Sequence, residues 1–134
     1  MIDVENQVFS AINTVVKAQY PDAFVAGEYV ATPAKFPAVS VVEIDNVMSR
    51  HTGTSSSPEN TVDVTYEVNV YSDRTRGKKT ECKAIAALID AEFTRLGFVR
   101  SFLNTVQNLN DATVYRMIGR YRAVISKDLL VYRR

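Results

Sequence analysis

Two segments of the chain repeat apolar residues at the spacing of an amphipathic helix. The first covers residues 3–20, where only Gln19 interrupts the apolar stripe. Asp3 is suited to cap its start, and Pro21 ends it after Tyr20. The second runs from about Lys78 to Leu96 and is followed by Gly97, a typical stop signal. Its stripe contains Cys82, Ile85, Ala86, Ile89, Phe93 and Leu96.

Other segments show the period of β-strands. Residues 62–71 alternate apolar side chains with polar or acidic ones, and residues 112–126 alternate in the same way. Shorter strands are predicted over residues 24–31, 38–44 and 98–106. Between them lie a proline-bracketed connector from Pro33 to Pro37, a polar loop over residues 46–60 and a short tail over residues 128–134. We expect the loop to be flexible and the tail to dock on a sheet edge or on another subunit.

The order α-β-β-β-α-β-β predicts a single domain spanning residues 1–134. We expect a two-layer α+β fold with a mostly antiparallel sheet of four or five strands packed against two helices. Both helices should cover the apolar face of the two alternating strands. The other face should then place an acidic strand and an arginine strand together.

The composition, with 46% apolar and 23% charged residues, is typical of a globular domain. The formal net charge is +1, which argues against a polyanion binder recognised by total charge. This total hides an uneven distribution, because residues 1–73 carry 3 basic and 10 acidic side chains and residues 74–134 carry 13 basic and 5 acidic ones. Since both halves contribute strands to one sheet, part of the charge should cancel within the subunit.

Little in the sequence points to catalysis. The one histidine, His51, falls in the polar loop, and the one cysteine, Cys82, falls on an apolar helix stripe, where we expect a buried, inert thiol. Asp63 and Glu67 share a strand face but should lie ~13 Å apart, too far for a catalytic carboxylate pair. We therefore predict no enzyme activity, no catalytic residues, no cofactor and no metal site. No apolar run approaches the ~20 residues of a membrane span, so we expect no membrane partner.

Two groups of basic residues are candidates for binding. Arg116, Arg120 and Arg122 share a strand face, where they either face DNA or pair across strands with Asp63 and Glu67. A second group surrounds the start of the second helix, where it either meets an acidic partner surface or is simply solvated. The candidate subunit or partner contacts are Arg74, Arg76, Lys78, Lys79, Arg133 and Arg134 on the basic side and Glu28, Glu43 and Asp45 on the acidic side.

The chain resembles the tail-terminator, or tail-completion, proteins of long-tailed bacteriophages and prophages, which are often labelled minor capsid proteins. The resemblance spans nearly the whole chain. After the opening helix it is carried by residues 36–43 (FPAVSVVE), the Ser/Thr-rich loop and residues 66–72 (YEVNVYS). It continues through Lys79, Cys82, Lys83, Ala84, Ile85 and Asp90 of the second helix, residues 96–98 (LGF) and residues 120–128 (RYRAVISKD).

The resemblance implies a structural role in the virion. Such a protein forms a ring, typically of six copies, on the head-proximal end of the tail tube. The implied partners are further copies of the chain, the tail tube protein, the head-tail connector protein and DNA passing through the lumen without sequence recognition. Assembly would take place in the cytoplasm of the bacterial host. The alternatives are a head-closure or neck connector protein of the same joint, or a small DNA-binding module that uses the arginine strand.

Overall fold

The computed structural model describes residues 2–30, 33–48, 61–106 and 113–126. Two helices and five strands follow each other in the predicted order α-β-β-β-α-β-β. They are α1 (Glu5–Gln19), β1 (Phe24–Ala26), β2 (Ala38–Met48), β3 (Thr61–Ser72), α2 (Lys78–Arg95), β4 (Val99–Val106) and β5 (Tyr115–Ser126). The predicted α+β class is confirmed.

The strands form one mixed sheet with the order β1-β2-β3-β5-β4. β1 pairs with β2 in parallel, and every other neighbouring pair is antiparallel. β3 and β5, which the sequence predicts to share one sheet, are direct neighbours, and their ladder runs without interruption from Thr61 opposite Ser126 to Ser72 opposite Tyr115. Acidic and basic strands thus lie side by side.

Both helices cover the same face of the sheet. Their apolar stripes pack on the alternating residues of the central strands, so that Ile12, Val16, Ile85 and Phe93 are fully buried. Four aromatic rings lie in this core, and the Phe93 ring stacks on Tyr121 with the centroids 4.3 Å apart and the planes 6° from parallel. We call the opposite side of the sheet the open face, because no helix among the described residues covers it.

Four predicted boundaries were wrong, among them the start of the last strand, which begins at Tyr115 rather than residue 112. The first strand ends at Ala26 rather than residue 31, and the chain then crosses one end of the open face, where the Tyr71 hydroxyl donates to the Val30 carbonyl at 3.2 Å. β2 continues to Met48, four residues past its predicted end. The predicted loop therefore loses residues 46–48 to a strand, and residues 49–60 lie outside the described part of the chain. The predicted tail over residues 128–134 lies outside it as well.

The helix ends follow the expected local chemistry. Val4 rather than Asp3 occupies the N-cap of α1, but the Asp3 carboxylate still accepts from the Glu5 backbone N–H at 3.0 Å. Gly77 precedes α2 with a φ of 80°, and Gly97 follows it with a φ of 93°, both in the left-handed region that favours glycine. These turns place the basic segment, residues 74–79, at the start of α2 and β4 after its end.

Candidate assembly surface

The ladder between β3 and β5 places the predicted acidic and basic side chains against each other on the open face. Glu67 lies directly opposite Arg120, and its carboxylate accepts from the guanidinium at 2.9 and 3.0 Å. The Arg120 guanidinium also lies over the Phe102 ring, 5.6 Å from its centroid. This arginine therefore contacts a carboxylate on one side and an aromatic ring on the other. Of the two predicted roles for the arginine strand, DNA contact or pairing across strands, this geometry is the pairing across strands.

Arg116 binds an amide rather than a carboxylate. Its Nε and one terminal nitrogen donate to Asn69 Oδ1 at 3.0 and 2.6 Å, and its guanidinium lies 5.5 Å from the centroid of the Tyr71 ring. Asn69 Nδ2 and Ser40 Oγ, on neighbouring strands, are buried without a hydrogen-bond partner among the described residues. This part of the open face thus retains unused hydrogen-bonding capacity.

Arg122 and Asp63 differ from the other members of the predicted set. Arg122 lies opposite Thr65, is exposed, and forms no ion pair with another described residue. Asp63 lies opposite Val124, one diagonal position from Arg122. The structure thus places the predicted residues on one face. Within this set, the carboxylate–guanidinium pair joins Glu67 and Arg120.

The basic segment at the start of α2 is partly tied down within the subunit. The Arg74 guanidinium lies 3.6 Å from the Glu81 carboxylate, which also accepts from the Ser72 hydroxyl at 2.8 Å. Lys78 Nζ donates to the Thr113 carbonyl at 3.1 Å. Arg76 and Lys79 are exposed. An open groove of about 350 Å³ beside this segment is lined by Tyr20, Arg74, Arg76, Gly77, Thr80, Glu81 and Ala84.

The acidic contact candidates lie elsewhere. Glu28 is exposed just after β1, and Asp45 is exposed on β2. Glu43, also on β2, is half-buried and accepts from the Tyr66 hydroxyl at 3.0 Å. Partial burial raises the pKa of Glu43, the hydrogen bond from Tyr66 opposes that rise, and the charges of Asp3 and Glu5 add to it.

Sequence reasoning missed a cluster that only the fold creates. Carboxylate oxygens of Asp3, Glu5 and Glu43 all lie within 4.8 Å of one another. The contact follows from the start of α1 lying beside β2, where Asn46 Nδ2 donates to the Ile2 carbonyl at 2.9 Å. No described lysine or arginine forms an ion pair with these carboxylates, so the edge of β2 is locally acidic.

Of the remaining sequence candidates, only Cys82 lies within the described residues. Cys82 is buried as predicted, and its thiol donates to the Val70 carbonyl at 3.2 Å. Burial raises the pKa of this thiol to about 12, so it carries little thiolate at neutral pH. His51, Arg133 and Arg134 lie outside the described residues. Neither of the described helices has the combined length and hydropathy needed to cross a bilayer.

The chain matches no protein-family model and shows no significant similarity to a curated protein.

Proposed function

We propose that this chain is a structural virion protein, a tail-terminator subunit that caps the tail tube of a long-tailed phage as a ring and joins it to the head connector. The sequence resemblance supplies the role. The observation that carries the proposal is the one-sided architecture: α1 and α2 cover one face of the sheet, whereas among the described residues no helix covers the other face and two strand edges lack a strand partner.

The ring, which we propose to be a hexamer, has three kinds of contact to make. Each subunit binds two neighbours of the same sequence, the tail tube protein below and the connector protein above, and DNA passes through the lumen without sequence recognition. Exposed charge at separate places supports several contacts, because Arg76 and Lys79 lie at the start of α2 whereas Asp45 lies far along β2. The proposed location is the head-proximal end of the tail, after assembly in the host cytoplasm.

The DNA-binding alternative is the weaker of the two interpretations of the arginine strand. Arg116 and Arg120 already hold Asn69 and Glu67, and Glu67 adds a negative charge within the same row. A phosphate backbone would have to displace these contacts. A head-closure or neck protein at the same joint would use the same surfaces, so the binding partner distinguishes it from a terminator.

Polymerisation of the purified tail tube protein tests the proposal. Adding this chain should stop tube growth, and gold-labelled protein should be found at one end of each tube by electron microscopy. Tubes that grow to the same lengths with and without the protein would contradict a terminator role. Binding to purified heads or connectors without binding to tubes would instead assign the chain to head closure.

A further inference from the structure

Two edges of the sheet have no strand partner among the described residues. β4 forms one edge along its whole length and pairs with β5 alone. β1 pairs with the other edge only at Ala38–Ser40, so β2 has no strand partner on that side from Val41 to Met48, where residues 2–5 lie next to the sheet. Unpaired N–H and C=O groups at an edge are a template for another strand, and neither segment contains the lysine or proline that often prevents such pairing.

Exposed apolar side chains concentrate on these edges. Among the described residues, five large apolar side chains are exposed, and four of them belong to the two edge strands. β2 contributes Ile44, Val47 and Met48 with 42%, 49% and 63% exposure, and β4 contributes Val99 with 62%. Pairing of the edges would remove apolar surface from water, which is favourable.

The two edges also match in strand direction and in charge. β2 and β5 run one way and β3 and β4 the other, so rotation of the subunit about an axis parallel to the strands brings β4 of one copy antiparallel to β2 of the next. The register aligns Glu43, Tyr66, Tyr121 and Arg100 in a single row across the sheet. An acidic residue thus occupies the β2 end of that row and a basic residue the β4 end. The Arg100 side chain is 53% exposed and lies 3.2 Å from Asp90 Oδ1 within its own subunit, so its outer side remains accessible to a second carboxylate.

We propose that β4 of one copy adds antiparallel to the free edge of β2 in the next copy, with Arg100 facing the acidic cluster of Asp3, Glu5 and Glu43. The inference rests on the ring assembly proposed above and specifies its subunit contact. Because two different edges meet, the contact is heterologous, and it closes into a ring when the rotation between neighbouring copies divides a full turn. The open faces of all copies then lie on the same side of a continuous intermolecular sheet.

A twofold contact between two β4 strands is the competing arrangement. It would leave the acidic cluster and the apolar residues of β2 without a partner and would bring two copies of the Arg100 strand together. Charge and apolar surface therefore both favour the β4-to-β2 contact. Cysteine cross-linking separates the two arrangements, because it reports which strands meet. The native Cys82 should not interfere, since it is buried and its thiol is poorly ionised.

The experiment uses two single variants of the full chain, Asp45→Cys on β2 and Val99→Cys on β4. These positions lie in one row and on one face, since Asp45 is opposite Thr65, Thr65 opposite Arg122, and Arg122 opposite Val99. Val47→Cys replaces Asp45→Cys to sample a register shifted by two residues. Both edge positions are exposed, so the variants should fold, and circular dichroism verifies this. The exposed helix positions Ala18→Cys and Ala87→Cys form the matched control pair.

Mixing a β2 variant with the β4 variant under mild oxidation should give a disulfide-linked heterodimer, whereas each variant alone and the control pair should not cross-link. The double variant Asp45→Cys/Val99→Cys should give a ladder of covalent oligomers that ends at the ring number. Cross-linking of Val99→Cys with itself would overturn the proposal in favour of the twofold contact. Absence of the heterodimer in both registers, including in a protein that stays monomeric, would also overturn it.

Different results would contradict the proposed edge contact and the proposed terminator role. Protein that caps tail tubes but forms no β2–β4 cross-link contradicts the edge contact alone. Protein that forms the cross-linked ring but leaves tube length unchanged contradicts the terminator role alone.

Discussion

Tyr121 contacts both the hydrophobic core and a polar group at its boundary. Its ring stacks on Phe93, and its hydroxyl donates to Asp90 Oδ1 at 2.8 Å. The same carboxylate oxygen accepts from Arg100 on β4 at 3.2 Å. Burial, followed by the hydrogen bond to Asp90, raises the pKa of Tyr121, so the hydroxyl stays protonated and remains a donor.

Substitutions at Tyr121 should separate these two contributions. Tyr121→Phe keeps the stacked ring and loses the hydrogen bond, so the free energy of unfolding should fall by about 1–2 kcal/mol. Tyr121→Ala also removes the ring and should cost about 3–5 kcal/mol. Urea denaturation measures both values, and equal losses in the two variants would show that the ring contributes nothing beyond the hydroxyl.

Glu43 and Glu92 should affect the pH dependence of stability in opposite directions. Burial raises the pKa of Glu43, so the folded state holds the proton more tightly, and stability is lost as pH rises through the raised pKa. Hydrogen bonds from Arg95 at 2.6 and 2.7 Å lower the pKa of Glu92. That contribution is present at neutral pH and is lost as pH falls through the lowered pKa.

The matched variants Glu43→Gln and Glu92→Gln test this difference. Relative to the wild type, Glu43→Gln should gain stability as the pH rises from about 3 to about 7. Glu92→Gln should instead show its largest deficit at neutral pH and a smaller one in acid. Denaturation midpoints across this range provide the measurement, and parallel pH profiles for the two variants would contradict the assignment.

At the scale of the elements, strict periodicity made the helices and the two central strands predictable. The helices were predicted within two residues at each end, and the alternating segments became β3 and β5, because each buries one face against a partner. β2 was predicted too short, since its residues beyond Ile44 pair with distant β3 residues and a bulge at Ile44 breaks their alternation. Long-range pairing of this kind leaves no local periodic signal.

The candidate surface was predictable only in part, for the same reason. Opposite charge on two alternating strands predicted that Glu67 and Arg120 could meet, and the register brings them together. The clustering of Asp3, Glu5 and Glu43 depends on where α1 begins relative to β2, which no local pattern encodes. The free edges depend on the strand order, which places β4 outermost although it is the fourth strand in the chain.

The packing of β4 on β5 depends on a glycine with little space around it. A Cβ added at Gly119 would lie 3.0 Å from Leu103 Cδ1 on β4 and 3.3 Å from the Tyr121 ring. Gly119→Ala should therefore lower the free energy of unfolding by about 1–2 kcal/mol, because the Leu103 side chain and the Tyr121 ring have to move slightly to make room for the methyl group. Thermal denaturation checks this value.

Gly27→Ala is the matched control for Gly119→Ala. A Cβ at Gly27 would lie no closer than 3.6 Å to the Phe9 ring, which is an ordinary contact. This variant should be neutral or gain up to about 1 kcal/mol through a less flexible unfolded chain. Equal losses in both variants would show that the crowding beside Leu103 has no energetic effect.

For the whole molecule, the near-zero net charge describes a surface with separated signs. Glu67 and Arg120 cancel within the subunit, whereas Arg76 and Lys79 are exposed at the start of α2 and Asp45 is exposed on β2. A surface of this kind suits contacts between identical copies, because each subunit presents both signs.

Assembly should therefore weaken with added salt. Raising sodium chloride from about 0.1 M to about 1 M shortens the screening length from about 10 Å to about 3 Å, so the apparent dissociation constant should rise severalfold. Light scattering at a series of protein concentrations measures this change, with circular dichroism showing that the fold is retained. An apparent dissociation constant that does not change with salt would contradict this prediction and would indicate a contact made by apolar surface alone.

Tail length tests the terminator role most directly. In a phage or induced prophage that encodes this chain, an in-frame deletion of its gene should produce tails of irregular and excessive length without attached heads, as seen by electron microscopy. Supplying the wild-type chain in trans should restore uniform tails joined to heads. Tails of normal, uniform length in the absence of the protein would contradict the account.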